Sequence, residues 1–105
     1  MGMGWSEQVE RNLRAMEYEQ NGDIKKAISL YEENVTEEFD GTHPYQRLCD
    51  LYLELDQTDD VIRVLEKAIH VFEGAQTGDC KDKHDQLARF KQAHINLTKT
   101  FNKVN

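Results

Sequence analysis

Four histidines, two cysteines and twenty acidic side chains are the groups through which this chain could hold a metal or attack a substrate. His43, His70, His84 and His94 show none of the HxxxH or HExxH spacings that put two ligands on one helix face, and none is paired with a cysteine at ligand spacing. His94 reads as a core-edge residue and His84-Asp85 as a solvated first turn. Cys49 and Cys80 form no CxxC pair. Cys49, among Leu48, Leu51 and Tyr52, reads as a small buried thiol, and Cys80 as an exposed loop residue. This usage fits a reducing cytoplasm. There is no GxSxG and no phosphate-cradling glycine loop. The pairs Glu32-Glu33 and Glu37-Glu38 read as a solvated face. No metal, no cofactor and no catalysis are expected.

Charge narrows the partners. The net charge is −7, but residues 81–105 hold six of the thirteen basic residues and only two of the twenty acidic ones. An acidic body repels phosphate backbones, so nucleic acid is not expected as a ligand. The basic tail is expected to rest against that body. The first 20 residues lack the apolar segment of a signal peptide, and no run approaches a membrane span of about 18 apolar residues. Gly2 and Ser6 fit the loose N-myristoylation pattern, but the acidic stretch after them lacks the second, basic signal that stable anchoring needs. A cytoplasmic protein that engages no membrane is the expectation.

Positioning any functional residue falls to helices. Proline occurs once, and apolar residues recur at helical spacing. Residues 1–5 are expected to be a flexible lead. A first helix runs from a Ser6 cap to about Gln20, with Val9, Leu13 and Met16 on one stripe. Asn21-Gly22 stops it, and Asp23 caps a second helix with Ile24, Ala27, Ile28, Tyr31 and Val35 along one face. Thr42 and Pro44 open a third helix over about 43–55. Thr58 caps a fourth over about 59–73, whose apolar face is wide enough for contacts on two sides. After a loop at 74–81, a last helix over about 82–104 carries Leu87, Phe90, Leu97, Phe101 and Val104 at near-heptad spacing.

These helices repeat. Tyr18, Gly22-Asp23, Ala27 and Tyr31 are answered 34 residues later by Tyr52, Asp56-Gln57, Val61 and Leu65. A period of this size marks stacked units that bury their apolar sides on one another. Over residues 8–75 the pattern resembles the tetratricopeptide repeat. The first copy (8–41) supplies Ala15, Tyr18, Gly22-Asp23, Ala27 and Tyr31; the second (42–75) supplies Tyr45, Leu48, Cys49, Tyr52, Leu65 and Ala68. The first copy departs at Arg11 and Arg14, where bulky apolar residues are usual, and at Asn34, where a second Ala is usual. The second lacks the Gly and has Val61 for the first Ala. The expected fold is therefore all-α: antiparallel hairpins stacked as a short right-handed solenoid of about five helices in one domain (6–105), closed by the last helix as a cap.

The resemblance implies a concave surface made by the first helix of each hairpin and used to hold a peptide or helix. On it the first copy would present Asn12, Met16, Glu19 and Gln20. The second would present His43, Gln46, Arg47, Asp50, Leu53 and Glu54. Met16 stands where a clamp for a C-terminal carboxylate needs Asn, and no Lys lies nearby, so that ligand does not fit. Glu19, Asp50 and Glu54 favour a basic or amphipathic helix, for which the chain's own last helix is one candidate. Leu53 reads as a lone exposed leucine or a contact to that helix, or else as a groove anchor for a partner helix. The leading expectation is a protein-interaction module. The alternative is a subunit whose task is self-association into a homodimer, with Phe72, Phe90 and Phe101 as interface residues.

Overall fold

The computed structural model describes the backbone of residues 5–39, 41–74 and 81–103, and the side chains of 6–39, 41–74 and 85–99. It is all-helical: α1 (Trp5–Gln20), α2 (Ile24–Thr36), α3 (His43–Glu54), α4 (Thr58–Gly74) and α5 (Lys81–Lys103). Each helix packs against the next in chain order, so two antiparallel hairpins, α1–α2 and α3–α4, stack side by side and α5 closes the far end. Expectations about residues 1–4, about Cys80 and the loop around it, and about the side chains of His84, Phe101 and Val104 fall outside the described residues.

The internal repeat is written into the backbone. Asp23 N–H donates to the Tyr18 carbonyl at 2.8 Å, and 34 residues later Gln57 N–H donates to the Tyr52 carbonyl at 2.8 Å. Gly22 N–H donates to Glu19 and Asp56 N–H to Leu53, each at 3.1 Å. Both hairpins thus end their first helix in the same left-handed cap. The residue that adopts it has φ of +84° at Gly22 and +59° at Asp56. Glycine takes this conformation without cost, and Asp is among the few other residues that tolerate it, so the second copy turns correctly without the glycine. The same cap ends α2, with Glu38 at φ +59°.

Helix starts follow the expected chemistry less closely. Asp23 does cap α2, accepting from the Lys26 N–H at 3.4 Å. Thr42 precedes α3, but its hydroxyl caps nothing, and Pro44 in the first turn starts the helix instead. Ser6 and Thr58 lie inside their helices rather than before them.

One core threads all five helices. Ala15, Ala27, Tyr31, Tyr45, Leu48, Val64 and Ala68 have no exposed surface. The alanines let helix axes come close, and the tyrosines fill the space between hairpins. Tyr45, Phe72 and Phe90 meet edge-to-face, with Phe72 and Phe90 centroids 5.4 Å apart. Each such contact contributes about 0.5–1.5 kcal/mol beyond area burial. The Lys91–Glu73 pair between α5 and α4 is half exposed on both sides and is worth about 0–1 kcal/mol. Packing rather than charge therefore fastens α5.

Three expectations change here. Phe72 and Phe90 are buried against Tyr45, so neither can form a dimer interface. Lys91 and His94 of α5 pair with Glu73 and Glu66 of α4. The basic helix thus rests on the acidic body as expected, while Asp50, Leu53 and Glu54 stay exposed rather than covered by it. The third change concerns α1. Arg11, Asn12 and Ala15 face inward, while Leu13 is 54% and Met16 38% exposed. The stripe Val9–Leu13–Met16 is not the core stripe.

Ala27 is fully buried where α1 and α2 meet. Ala27→Leu should lower stability by about 1–3 kcal/mol through overpacking, read as a lower denaturant midpoint at unchanged slope. An unchanged midpoint would contradict this packing.

Candidate functional site

Why α1 turns its polar side inward is answered by α2. Asn34 is fully buried and every polar group on it is used. Its Nδ2 donates to the Gln8 carbonyl and to Asn12 Oδ1, both at 2.8 Å. Its Oδ1 accepts from Arg11 Nη1 at 2.7 Å. The same Arg11 nitrogen donates to Glu37 at 3.0 Å. A guanidinium 8% exposed needs such partners, because an unpaired charge in the interior costs several kcal/mol. Leu13 lies across the helix from Arg11 and Ala15 and so points outward, with Met16 at the edge of the exposed side.

The equivalents of Arg11 and Asn34 one repeat later are Tyr45 and Ala68, both fully buried. Two of the first copy's three departures, Arg11 and Asn34, are therefore one paired replacement: where the second copy has a large buried ring and a small buried residue, the first has a cation bonded to an amide. Asn12 belongs to this interior network and is not a groove residue.

The α1–α3 face is organised by Glu19. It takes both ends of the Arg47 guanidinium, with Nε at 3.2 Å and Nη2 in a very short contact, so α1 and α3 lie side by side there. The buried Tyr31 of α2 donates to Glu19 Oε2 at 2.6 Å. Arg47 Nη1 also donates to Asp50 at 2.9 Å. His43 Nε2 lies 3.3 Å from the Tyr31 hydroxyl, and the tautomer that fits carries its proton on Nε2, since Tyr31 gives its own to Glu19. Burial alone would raise the Glu19 pKa, but its bonds from Arg47 and Tyr31 outweigh that and hold it below the usual carboxylate value. Burial, then the Glu19 bond, pushes the Tyr31 hydroxyl up. Burial lowers His43 despite the opposing pull of Glu19, which keeps the imidazole neutral at pH 7.

A second cluster of the same make-up sits one helix further on. Tyr52 of α3 donates to Glu32 of α2, and Glu32 takes both Nη1 and Nη2 of Arg63 from α4. In each cluster a tyrosine in the middle helix holds a glutamate from the helix before, which holds an arginine from the helix after. The first joins the two leading helices, α1 and α3; the second joins the two trailing helices, α2 and α4. The 34-residue offset relates neither pair of members, so comparing the copies could not reveal them.

Of the expected groove residues, Glu19, His43 and Arg47 are tied into this network. Met16, Gln20, Gln46, Asp50, Leu53 and Glu54 are exposed. Leu53 is 48% exposed, which leaves it available as an anchor. Leu13, which sequence reasoning assigned to the core stripe, joins them at the surface.

A cleft of about 720 Å³ opens beside the two hairpin turns, near Gly22, Ile24, Ile28, Tyr52 and Leu55. Three polar groups at its wall are already engaged: Asp23 caps α2, Tyr52 binds Glu32, and Asp60 pairs with Arg63. Burial, then Asp50, pushes the Cys49 thiol up to about 12, so it is a poor nucleophile. Among the described residues no three His, Cys, Asp or Glu side chains are placed to hold a metal ion, and no helix is long and apolar enough to cross a membrane. No family model matches the chain, and neither the curated proteins nor the solved structures contain a match.

Asn34→Ala should cost about 2–3 kcal/mol, because it strips a charge-assisted bond from a buried cation. Arg11→Tyr alone should also destabilise. The double variant, which copies the second hairpin, should lose at least about 1 kcal/mol less than the two singles together in a thermodynamic cycle. Additive losses would mean that the pair is not one unit.

Glu19 has a folded pKa below its unfolded value of 4.5, so its contribution is complete above that value and disappears as pH falls through the folded one. Wild-type stability should therefore drop as pH falls below the unfolded value of 4.5, and Glu19→Gln should flatten part of that drop in urea titrations at each pH. Identical pH profiles for the two proteins would exclude Glu19 as a contributor.

Proposed function

We propose that the chain is a protein-interaction module of tetratricopeptide-repeat kind, which holds a peptide or helix of a partner protein on its α1–α3 face. One observation carries this reading: Met16 and Leu53, one on each helix that the Glu19–Arg47 bridge joins, are 38% and 48% exposed. Apolar side chains that a fold leaves in water on a shared, rigid face are the usual anchors of a helix-in-groove interaction.

The rest of the face supports the same reading. Arg47 is neutralised by Glu19 and Asp50, whereas Glu54 forms no ion pair among the described residues. The surface around the anchors is therefore acidic and offers amides at Gln20 and Gln46. A partner segment with apolar residues on one side and Lys or Arg beside them fits this surface. Tyr31, Glu19 and Arg47 hold both helices in place before any ligand arrives, so binding would spend little on ordering the receptor. Chemistry on a substrate forms no part of the reading.

Selection from a displayed library of random helical peptides tests it. Wild-type protein should enrich peptides with apolar residues at i, i+3/i+4 and i+7. The variant carrying Met16→Glu and Leu53→Glu should bind them at least about tenfold more weakly, about 1.4 kcal/mol. Its unfolding free energy should stay within about 0.5 kcal/mol of wild type per site, since both positions are exposed. Peptides that bind both proteins alike would place the interaction elsewhere.

A further inference from the structure

The reading above names a class of partner, and the following inference rests on it while adding what that partner must carry and where it lies. α1 is inverted relative to an ordinary surface helix. Its buried side holds Arg11 and Asn12 beside Ala15, and its open side holds Leu13 and Met16, with Val9 half-buried before them and the polar Gln20 after them, at i, i+4, i+7 and i+11. Val9, Leu13 and Met16 make an apolar seam about two turns long. Arg11 is locked to Asn34 and Glu37, so the helix cannot roll to bury the seam itself.

Charge selects what covers it. Glu10 and Glu17, one heptad apart and both exposed, border the seam on the side away from α3. On the α3 side, Glu19 is matched by Arg47. Arg14 lies further round the helix, beyond the two glutamates. Two glutamates against one arginine set further back make that edge of the seam negative. A second copy fits badly. Paired in parallel, the glutamates of each copy face the flank of the other that is already tied to α3 through Glu19 and Arg47; paired antiparallel about Leu13, Glu10 of one copy meets Glu17 of the other. Like charges so placed oppose association.

We propose that the seam is covered by an amphipathic helix of another protein, apolar toward Leu13 and Met16 and carrying Lys or Arg in the two positions that meet Glu10 and Glu17.

Two synthetic helices of about 18 residues test this, each with Leu along one seam and Ala elsewhere, flanked by Lys in one and by Glu in the other. Binding is read by fluorescence anisotropy on the full chain, with sedimentation equilibrium of the protein alone. The Lys-flanked helix should bind at least about tenfold more tightly than the Glu-flanked one. The variant carrying Glu10→Lys and Glu17→Lys, checked for unchanged helicity and melting, should reverse that order. Leu13→Glu should weaken both. If the Lys-flanked helix binds but ignores the charge reversal, while Met16→Glu with Leu53→Glu abolishes binding, the seam proposal falls and the broader reading stands. If no helix binds, or if the protein sediments as a dimer that Leu13→Glu dissociates, the seam proposal falls as well. Loss of the broader reading is recognised separately, by library-selected peptides that ignore Met16 and Leu53.

Discussion

A buried hydroxyl that donates a hydrogen bond to a carboxylate, which in turn grips a guanidinium, is the interaction on which this architecture depends. It occurs twice. Tyr31–Glu19–Arg47 ties α1 to α3, and Tyr52–Glu32–Arg63 ties α2 to α4. Apolar packing alone brings hairpins together, but it is non-directional and tolerates sliding. The forked geometry of arginine on carboxylate does not. With one such bond set on each side of the stack, the second hairpin has a defined position against the first. The α1–α3 face is then a fixed surface rather than two helices free to shift.

The ends of the stack are finished by different means. α3 packs against both α2 and α4, and its Leu48 and Leu51 are buried. Their equivalents in α1 are Arg14 and Glu17, both exposed. That side of the first hairpin is therefore polar where the matching side of the second is apolar. The second hairpin is covered by α5, through the Tyr45–Phe72–Phe90 cluster. Between them, Met16 and Leu53 meet water on the α1–α3 face.

The hairpins and their register were legible in the sequence because a left-handed turn leaves a residue signature: Gly22 in one copy, Asp56 in the other. Periodicity also located the inward faces of α2 and α4, and that of α3 except for Leu55, which the spacing places inward and the structure leaves 49% exposed. It failed for α1, where Val9, Leu13 and Met16 look like a core stripe. Hydrophobic spacing assumes that the apolar side faces in, and the Arg11–Asn34 network overrides that assumption. The signal was present as two departures, Arg11 and Asn34, which gain meaning only when read as partners. The same network removed Asn12 from the expected groove. The bonds that join Tyr31 to Glu19 and His43, and Glu19 to Arg47, were not legible at all, because they join residues whose spacing no repeat relates.

The two hairpins are held by different physics at matching positions, a hydrogen-bonded cation in one and an aromatic ring packed edge-to-face on Phe72 and Phe90 in the other. Apolar contacts weaken on cooling and carry a large heat capacity, while polar burial contributes with the opposite sign. Cooling therefore weakens the contacts around Tyr45 more than the bonds around Arg11.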